Sequence, residues 1–105
     1  MIYHLALPAD WAAAQATGLY TTSTRGVSLE EEGYIHASQD LDQTDRVRGF
    51  AYADLDDLLL LVIDEQRLAA EVRLESPPGS DELFPHIYGP IPVDAVTEVR
   101  PYPTN

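Results

Sequence analysis

The chain has 105 residues and no cysteine, and its 18 acidic residues against six basic ones give a formal net charge of −12. This length predicts one domain with a single core, and the lack of cysteine excludes disulfides and thiolate metal sites. A charge this negative repels a phosphate backbone and anionic lipid, so we expect neither nucleic acid nor a membrane as a partner. We also expect a cytoplasmic location, because no signal-peptide pattern is visible and cysteine-free chains suit a reducing compartment.

The first third of the chain predicts a strand, a helix and a capped turn. Residues 1–7 alternate along a strand, and Pro8 then begins an alanine-rich helix that Gly18 ends. A short strand is predicted near Tyr20. Ser28 and Glu31 have the spacing of a capping box, which predicts a single helical turn before residue 33.

Residues 33–38 read Gly-Tyr-Ile-His-Ala-Ser and are typical of a short strand after a glycine stop. A period of two places Tyr34, His36 and Ser38 on one face and the two apolar residues between them on the other. One face of this strand therefore carries three groups that can donate or accept hydrogen bonds. Ser38 is also predicted to cap a helix that continues to about Tyr52.

The second half of the chain contains its most apolar stretch and its clearest loop. Leu58–Ile63 is continuous and short, which predicts a central strand buried on both faces, and Asp64 is placed to cap the turn that follows. Residues 71–75 alternate as a half-buried strand, a proline-rich loop follows, and residues 96–102 predict a last strand. Because helices and strands interleave with short connections, we expect an α+β domain rather than a doubly wound sheet.

Three histidines, His4, His36 and His86, lie on separate predicted strands. Each one alone is more often a buried residue with satisfied hydrogen bonds, but three together favour a site. A zinc site is one alternative, although no His-x-His or His-Glu-x-x-His spacing is present, so we expect no metal. A Ser–His nucleophile is another, but Ser38 and His36 lie two residues apart without a Gly-x-Ser-x-Gly turn.

Three motifs together resemble domain-of-unknown-function family 952. They are Ile-Tyr-His-Leu at residues 2–5, Gly-Tyr-Ile-His-Ala-Ser at 33–38 and Leu-Phe-Pro-His-Ile-Tyr-Gly-Pro-Ile at 83–91. That family is similar to the ADP-ribosyltransferase fold, a split, mixed sheet with an NAD-binding cleft between its halves. The resemblance therefore implies a single domain over residues 1–105, with short flanking helices and NAD or a related nucleotide as ligand.

The resemblance also implies roles for individual residues. His4 matches a first-strand residue that binds ribose or phosphate, and His36 with Ser38 matches the element that supports the nicotinamide. His86 falls where those enzymes carry a glutamate, and a histidine cannot supply a permanent negative charge beside a developing cation. Glu75 is the candidate for that missing carboxylate. Tyr34 and Tyr88 would line the same cleft, and the candidates for phosphate binding are Arg25, Arg46 and Arg48.

From these residues we expect a domain that binds, and slowly turns over, NAD or a related nucleotide. The alternatives are a non-catalytic ligand-binding or protein-interaction module and, third, a histidine-bound metal enzyme. Strand parity predicts that His36 and His86 line one cleft with His4 at its edge. Arg73 and Glu75 are interpreted as an exposed charge pair unless the fold brings Glu75 to the histidines, and the sequence leaves the oligomeric state open.

Overall fold

A computed structural model describes residues 1–102, with every side chain in that range except that of Phe50. Its strands are β1 Ile2–Ala6, β2 Leu19–Tyr20, β3 Thr22–Thr24, β4 Val27–Ser28, β5 Ile35–His36, β6 Leu58–Ile63, β7 Val72–Glu75, β8 Phe84–Ile87, β9 Ile91–Pro92 and β10 Val96–Tyr102. Its helices are α1 Pro8–Thr17, α2 Leu29–Glu32 and α3 Leu41–Ala51, and short 3₁₀ turns cover Glu65–Arg67 and Val93–Ala95. The predicted α+β class is confirmed.

Two three-stranded sheets lie side by side and form a split sheet. One has the order β1-β6-β10 and the other β5-β8-β7. A single antiparallel bridge joins them, in which the Tyr3 and Ser38 backbones exchange hydrogen bonds of 2.9 and 2.7 Å. Every pairing within residues 1–102 is antiparallel, so the expected mixture of parallel and antiparallel strands is wrong. Helices α1 and α3 each lead from a strand of one sheet to a strand of another, β1 to β2 and β5 to β6, so neither forms the crossover between parallel neighbours of one sheet.

The apolar strand β6 lies at the centre of its sheet, as its composition predicted. Leu60 is 1% exposed and Val62 is 7% exposed, and both pack with the buried side of α3 around Val47. Leu61 and Ile63 point the other way into a second core. Alternate side chains of β6 therefore supply both cores, which explains why the strand has no polar face.

The helix ends show how local sequence directs the chain toward the site. Ser28 and Glu31 form the predicted capping box, with both hydrogen bonds at 3.1 Å. The predicted cap at Ser38 is wrong, because the Ser38 backbone pairs with Tyr3 and the chain stays extended there. Asp40 caps α3 instead, its Oδ1 accepting from the Gln43 backbone N–H at 2.8 Å. No helix within residues 1–102 has the length and apolar character needed to cross a membrane.

Candidate functional site

Strands β5 and β8 bring two of the three histidines together. Their antiparallel register places His36 directly opposite His86, and the ring centroids are 5.7 Å apart. The predicted proximity of these two side chains is confirmed. The same face carries Tyr34, Glu75 and Tyr88, and these five residues are called the histidine face below.

His86 lies at the centre of the histidine face. Its ring stacks on Tyr34 at 3.9 Å between centroids, with the two planes only 13° apart, and the residue is 2% exposed. Its Nδ1 is 2.9 Å from the Oε1 of Glu75, and because a carboxylate accepts, Nδ1 carries the proton. Nε2 is buried and has no hydrogen-bond partner among residues 1–102. The tautomer of His86 is therefore set by Glu75.

Glu75 is held by two donors on a single oxygen. The Tyr88 hydroxyl donates to the same Oε1 that His86 contacts, and Oε2 has no partner among the described residues. The Tyr88 hydrogen bond, followed by that of His86, lowers the pKa of Glu75. Glu75 is thus an ionised carboxylate, about a third exposed, with one oxygen anchored and one free.

The interpretation of Arg73 and Glu75 as an exposed pair is therefore wrong. Arg73 pairs instead with Glu71, through N–O distances of 2.7 and 3.2 Å. The condition under which Glu75 joins the histidines is met, because β7 pairs with β8 and turns Glu75 toward His86.

His36 lies beside His86 but in a different environment. Its ring is tilted against Phe84 at 4.7 Å and is partly exposed, and it makes no hydrogen bond with the described residues. Burial, and then the neighbouring His86, lowers the pKa of His36 to about 4. His36 is therefore a neutral imidazole near neutral pH, able to donate or accept one hydrogen bond toward a ligand.

His4 does not belong to the histidine face. Its Nδ1 donates to the backbone carbonyl of His36 at 2.6 Å, and its Nε2 accepts from the Tyr20 hydroxyl at 2.9 Å. The ring is buried on the same side of β1 as Ile2 and Ala6, which pack in a core on the side of the sheet away from the histidine face. His4 therefore closes the split between β1 and β5, and it can contact ribose or phosphate only if these bonds break.

The buried His4 makes stability depend on pH. Burial lowers the pKa of His4 to about 4, so the folded state resists protonation while the unfolded chain titrates at its ordinary value near 6.5. The stabilisation is complete above pH 6.5 and is lost as the pH falls toward 4. We expect urea unfolding to show a loss of roughly 2 kcal/mol from this ring between pH about 7 and about 5. Equal pH dependence in wild type and His4→Gln would contradict this.

Ser38 and Tyr34, both predicted to share a strand face with His36, lie in different environments. Ser38 is 4% exposed, and with His4, His36 and Ser23 it lines a cavity of about 10 Å³, at the lower limit for one water. Tyr34 is partly exposed, and burial together with Glu32 raises its pKa to about 12, so its hydroxyl stays protonated. Of these two residues, only Tyr34 belongs to the histidine face.

The three arginines predicted for phosphate binding contact other groups. Arg25 forms a two-point ion pair with Asp54 at 2.6 and 2.9 Å, Arg46 pairs with Glu82, and Arg48 donates to the Leu55 carbonyl at 3.2 Å. None of them bonds to the histidine face within residues 1–102. Arg73 was not predicted as a site residue, but its guanidinium carbon lies 4.6 Å over the Tyr88 ring. The one feature of the sequence that indicates this position is that Arg73 and Glu75, two residues apart, lie on the same face of their strand.

The next feature is the set of side chains that could bind a metal ion. Within residues 1–102, no group of three or more His, Asp or Glu side chains is arranged to hold an ion. The predicted absence of bound metal stays a prediction for elemental analysis.

The fold and the site together define a small α+β domain with a split antiparallel sheet and a His–Glu–Tyr cluster on one face. The chain belongs to the family described as "Protein of unknown function (DUF952)", whose model matches residues 5–99. The predicted membership of this family is confirmed.

Among solved structures, the chain is similar to protein CC0527 from Caulobacter crescentus, with 28% identity and a TM-score of 0.80 over 95% of this chain and 83% of that one. A double mutant of CC0527 gives 26% identity and a TM-score of 0.79 with the same coverage. No protein of curated function matches the chain. These relatives assign no activity, so a nucleotide-related function rests on the site itself.

Proposed function

We propose that this domain binds NAD or a related nucleotide on the histidine face and cleaves its glycosidic bond slowly. The observation that carries the proposal is the Glu75 carboxylate, which is ionised, anchored through Oε1 and free at Oε2. Glu75 supplies the negative charge that a histidine at the third position could not. The similarity to the ADP-ribosyltransferase fold enters as part of this proposal.

Binding would use the rings and the free polar atoms of the face. Tyr34 and Tyr88 are tilted at 52° to each other, with centroids 5.7 Å apart, and their partly exposed rings offer surfaces on which a base can stack. The neutral His36 imidazole and the Oε2 of Glu75 offer hydrogen bonds to ribose hydroxyls. Arg73, beside Tyr88, is the cation that fits a phosphate, in place of the three arginines predicted from the sequence.

Turnover would begin with cleavage of the ribose–nicotinamide bond, whose electron pair leaves with the nicotinamide. Positive charge then develops on the ribose, and the fixed carboxylate of Glu75 stabilises it without reorganising. Water forms the new carbon–oxygen bond and releases a proton to solvent. Slow turnover is expected because the Glu75 side chain is about a third exposed and accessible to water, which weakens electrostatic stabilisation.

Removing one aromatic ring tests the binding part of the proposal. We expect Tyr34→Ala to weaken the binding of NAD or ADP-ribose by about ten- to a hundredfold, because base stacking on an aromatic ring is lost. Tyr34→Phe retains the ring and should bind nearly as wild type does. Titration calorimetry of the three folded proteins measures the difference.

Thermal shift with NAD, ADP-ribose and AMP provides the first screen, since a ligand of the folded state must raise its unfolding temperature. Absence of binding at millimolar nucleotide, or equal affinity in Tyr34→Ala and Tyr34→Phe, would overturn the assignment of the histidine face. Binding without nicotinamide release would leave the non-catalytic ligand-binding alternative.

A further inference from the structure

Strand β7 leaves one side of its backbone without partners. It is the outer strand of the order β5-β8-β7, and the Tyr88 N–H donates to the Glu71 carbonyl at 2.9 Å. In an antiparallel pair, hydrogen bonding alternates along the strand, so residues 71, 73 and 75 point their backbone groups at β8. The N–H and C=O groups of Val72 and Leu74 therefore point outward, and none has a partner among the described residues.

The side chains of this edge are also exposed. Leu74 is 55% exposed and lies with Val72, Pro85 and Met1 along a groove of about 330 Å³ that Gln39 and Glu65 also line. The opposite outer strand, β10, is protected by Pro101 and by an irregular register between Val96 and Glu98. Strand β7 has neither a proline nor a bulge within Val72–Glu75. The two outer strands of the split sheet thus differ, and only β7 is open to pairing.

The charges of β7 are complementary to themselves when the pairing is centred on an outward-facing residue, Val72 or Leu74. If two copies pair antiparallel with Leu74 opposite Leu74, Arg73 of each copy lies opposite Glu75 of the other. Opposite charges across a strand pair stabilise it, whereas the register centred on Arg73 would place Glu71 opposite Glu75 and Arg73 opposite Arg73. The Leu74 register also brings the two exposed leucine side chains together on the groove side of the sheet.

We propose that a second copy of this chain pairs with β7 in the Leu74–Leu74 register and extends the sheet across a two-fold axis. The pairing satisfies the outward N–H and C=O groups of Val72 and Leu74 and covers Leu74. It also places Arg73 of each copy opposite Glu75 of the other, so pairing and nucleotide binding compete for these two side chains. The assembly ends at two copies, because both contribute the same edge strand and the protected β10 does not pair further. The net charge of −12 on each copy keeps the association weak at low ionic strength.

A cysteine scan tests the register, because the natural chain has no cysteine to compete. Directly opposed residues of a hydrogen-bonded pair have Cα atoms about 5.5 Å apart, which a disulfide can span. We expect mild oxidation to cross-link Leu74→Cys into a dimer. Val72→Cys, which has the same edge orientation, should stay uncrosslinked, because the two copies of residue 72 would lie about 13 Å apart.

Sedimentation of the protein at submillimolar concentration and moderate salt gives the second readout. Wild type should form a reversible dimer of twice the 11.6 kDa chain mass. Arg73→Glu should weaken it by about tenfold or more, because two attractive pairs become repulsive, while the exposed control Arg67→Glu should not. A strictly monomeric wild type, or cross-linking of Val72→Cys as efficient as that of Leu74→Cys, would overturn the proposal.

Discussion

Replacing Glu75 with glutamine is expected to lower the rate of nicotinamide release by about 10²–10³, the usual cost of losing one fixed electrostatic contact to a developing charge. Glutamine keeps the size of the side chain and an oxygen that accepts from His86 and Tyr88. It removes the negative charge at Oε2, the oxygen that we propose faces the ribose. The binding of NAD should change much less than the rate, because the contact strengthens mainly in the transition state.

The matched control is Glu98→Gln, which removes an exposed strand carboxylate that also pairs with an arginine. Glu98 pairs with Arg100 on β10, in the other sheet, so its loss should leave nicotinamide release within a few-fold of wild type. Nicotinamide is quantified chromatographically in the presence of saturating NAD. Measurable turnover that Glu75→Gln leaves intact would refute the role of Glu75, and binding with no release in wild type would refute cleavage altogether.

Leu60→Ala is expected to lower the free energy of unfolding by about 2–5 kcal/mol, as truncation of a buried leucine does. Leu60 is 1% exposed, lies opposite Leu5 across β1 and opposite Arg100 across β10, and packs in the core beneath α3. Its removal leaves a cavity that the surrounding side chains fill only in part. Each kcal/mol lost from the free energy of unfolding lowers the melting temperature of a domain this small by roughly 4–8 °C.

The same substitution at an exposed site provides the control. Leu41 begins α3 and is 43% exposed, so Leu41→Ala should change stability by less than about 0.5 kcal/mol. Urea unfolding of the two variants measures both effects. A loss below about 1 kcal/mol for Leu60→Ala would show that β6 is not the centre of the core.

The local predictions were correct where the hydrogen-bond partner lies nearby in the sequence and failed where it lies far away. The capping box of Ser28 and Glu31 was correct because both partners lie within one helical turn. The cap at Ser38 failed because its backbone is taken by Tyr3, which is far away in sequence. The same contrast applies to Glu75, whose partners His86 and Tyr88 lie on the neighbouring strand.

By itself the sequence determined the single domain, the α+β class, the central burial of Leu58–Ile63 and the alternation that turns His36 and His86 to one side of their strands. These features depend on composition and on periods of two or four residues, which neighbours along the chain set locally. Only the tertiary structure decided which strands became neighbours. That choice placed His36 opposite His86, placed His4 with Tyr20 at the split, and brought Glu75 to His86 and Arg73 to Tyr88. Strand order depends on how both cores close around β6, and no local pattern encodes it.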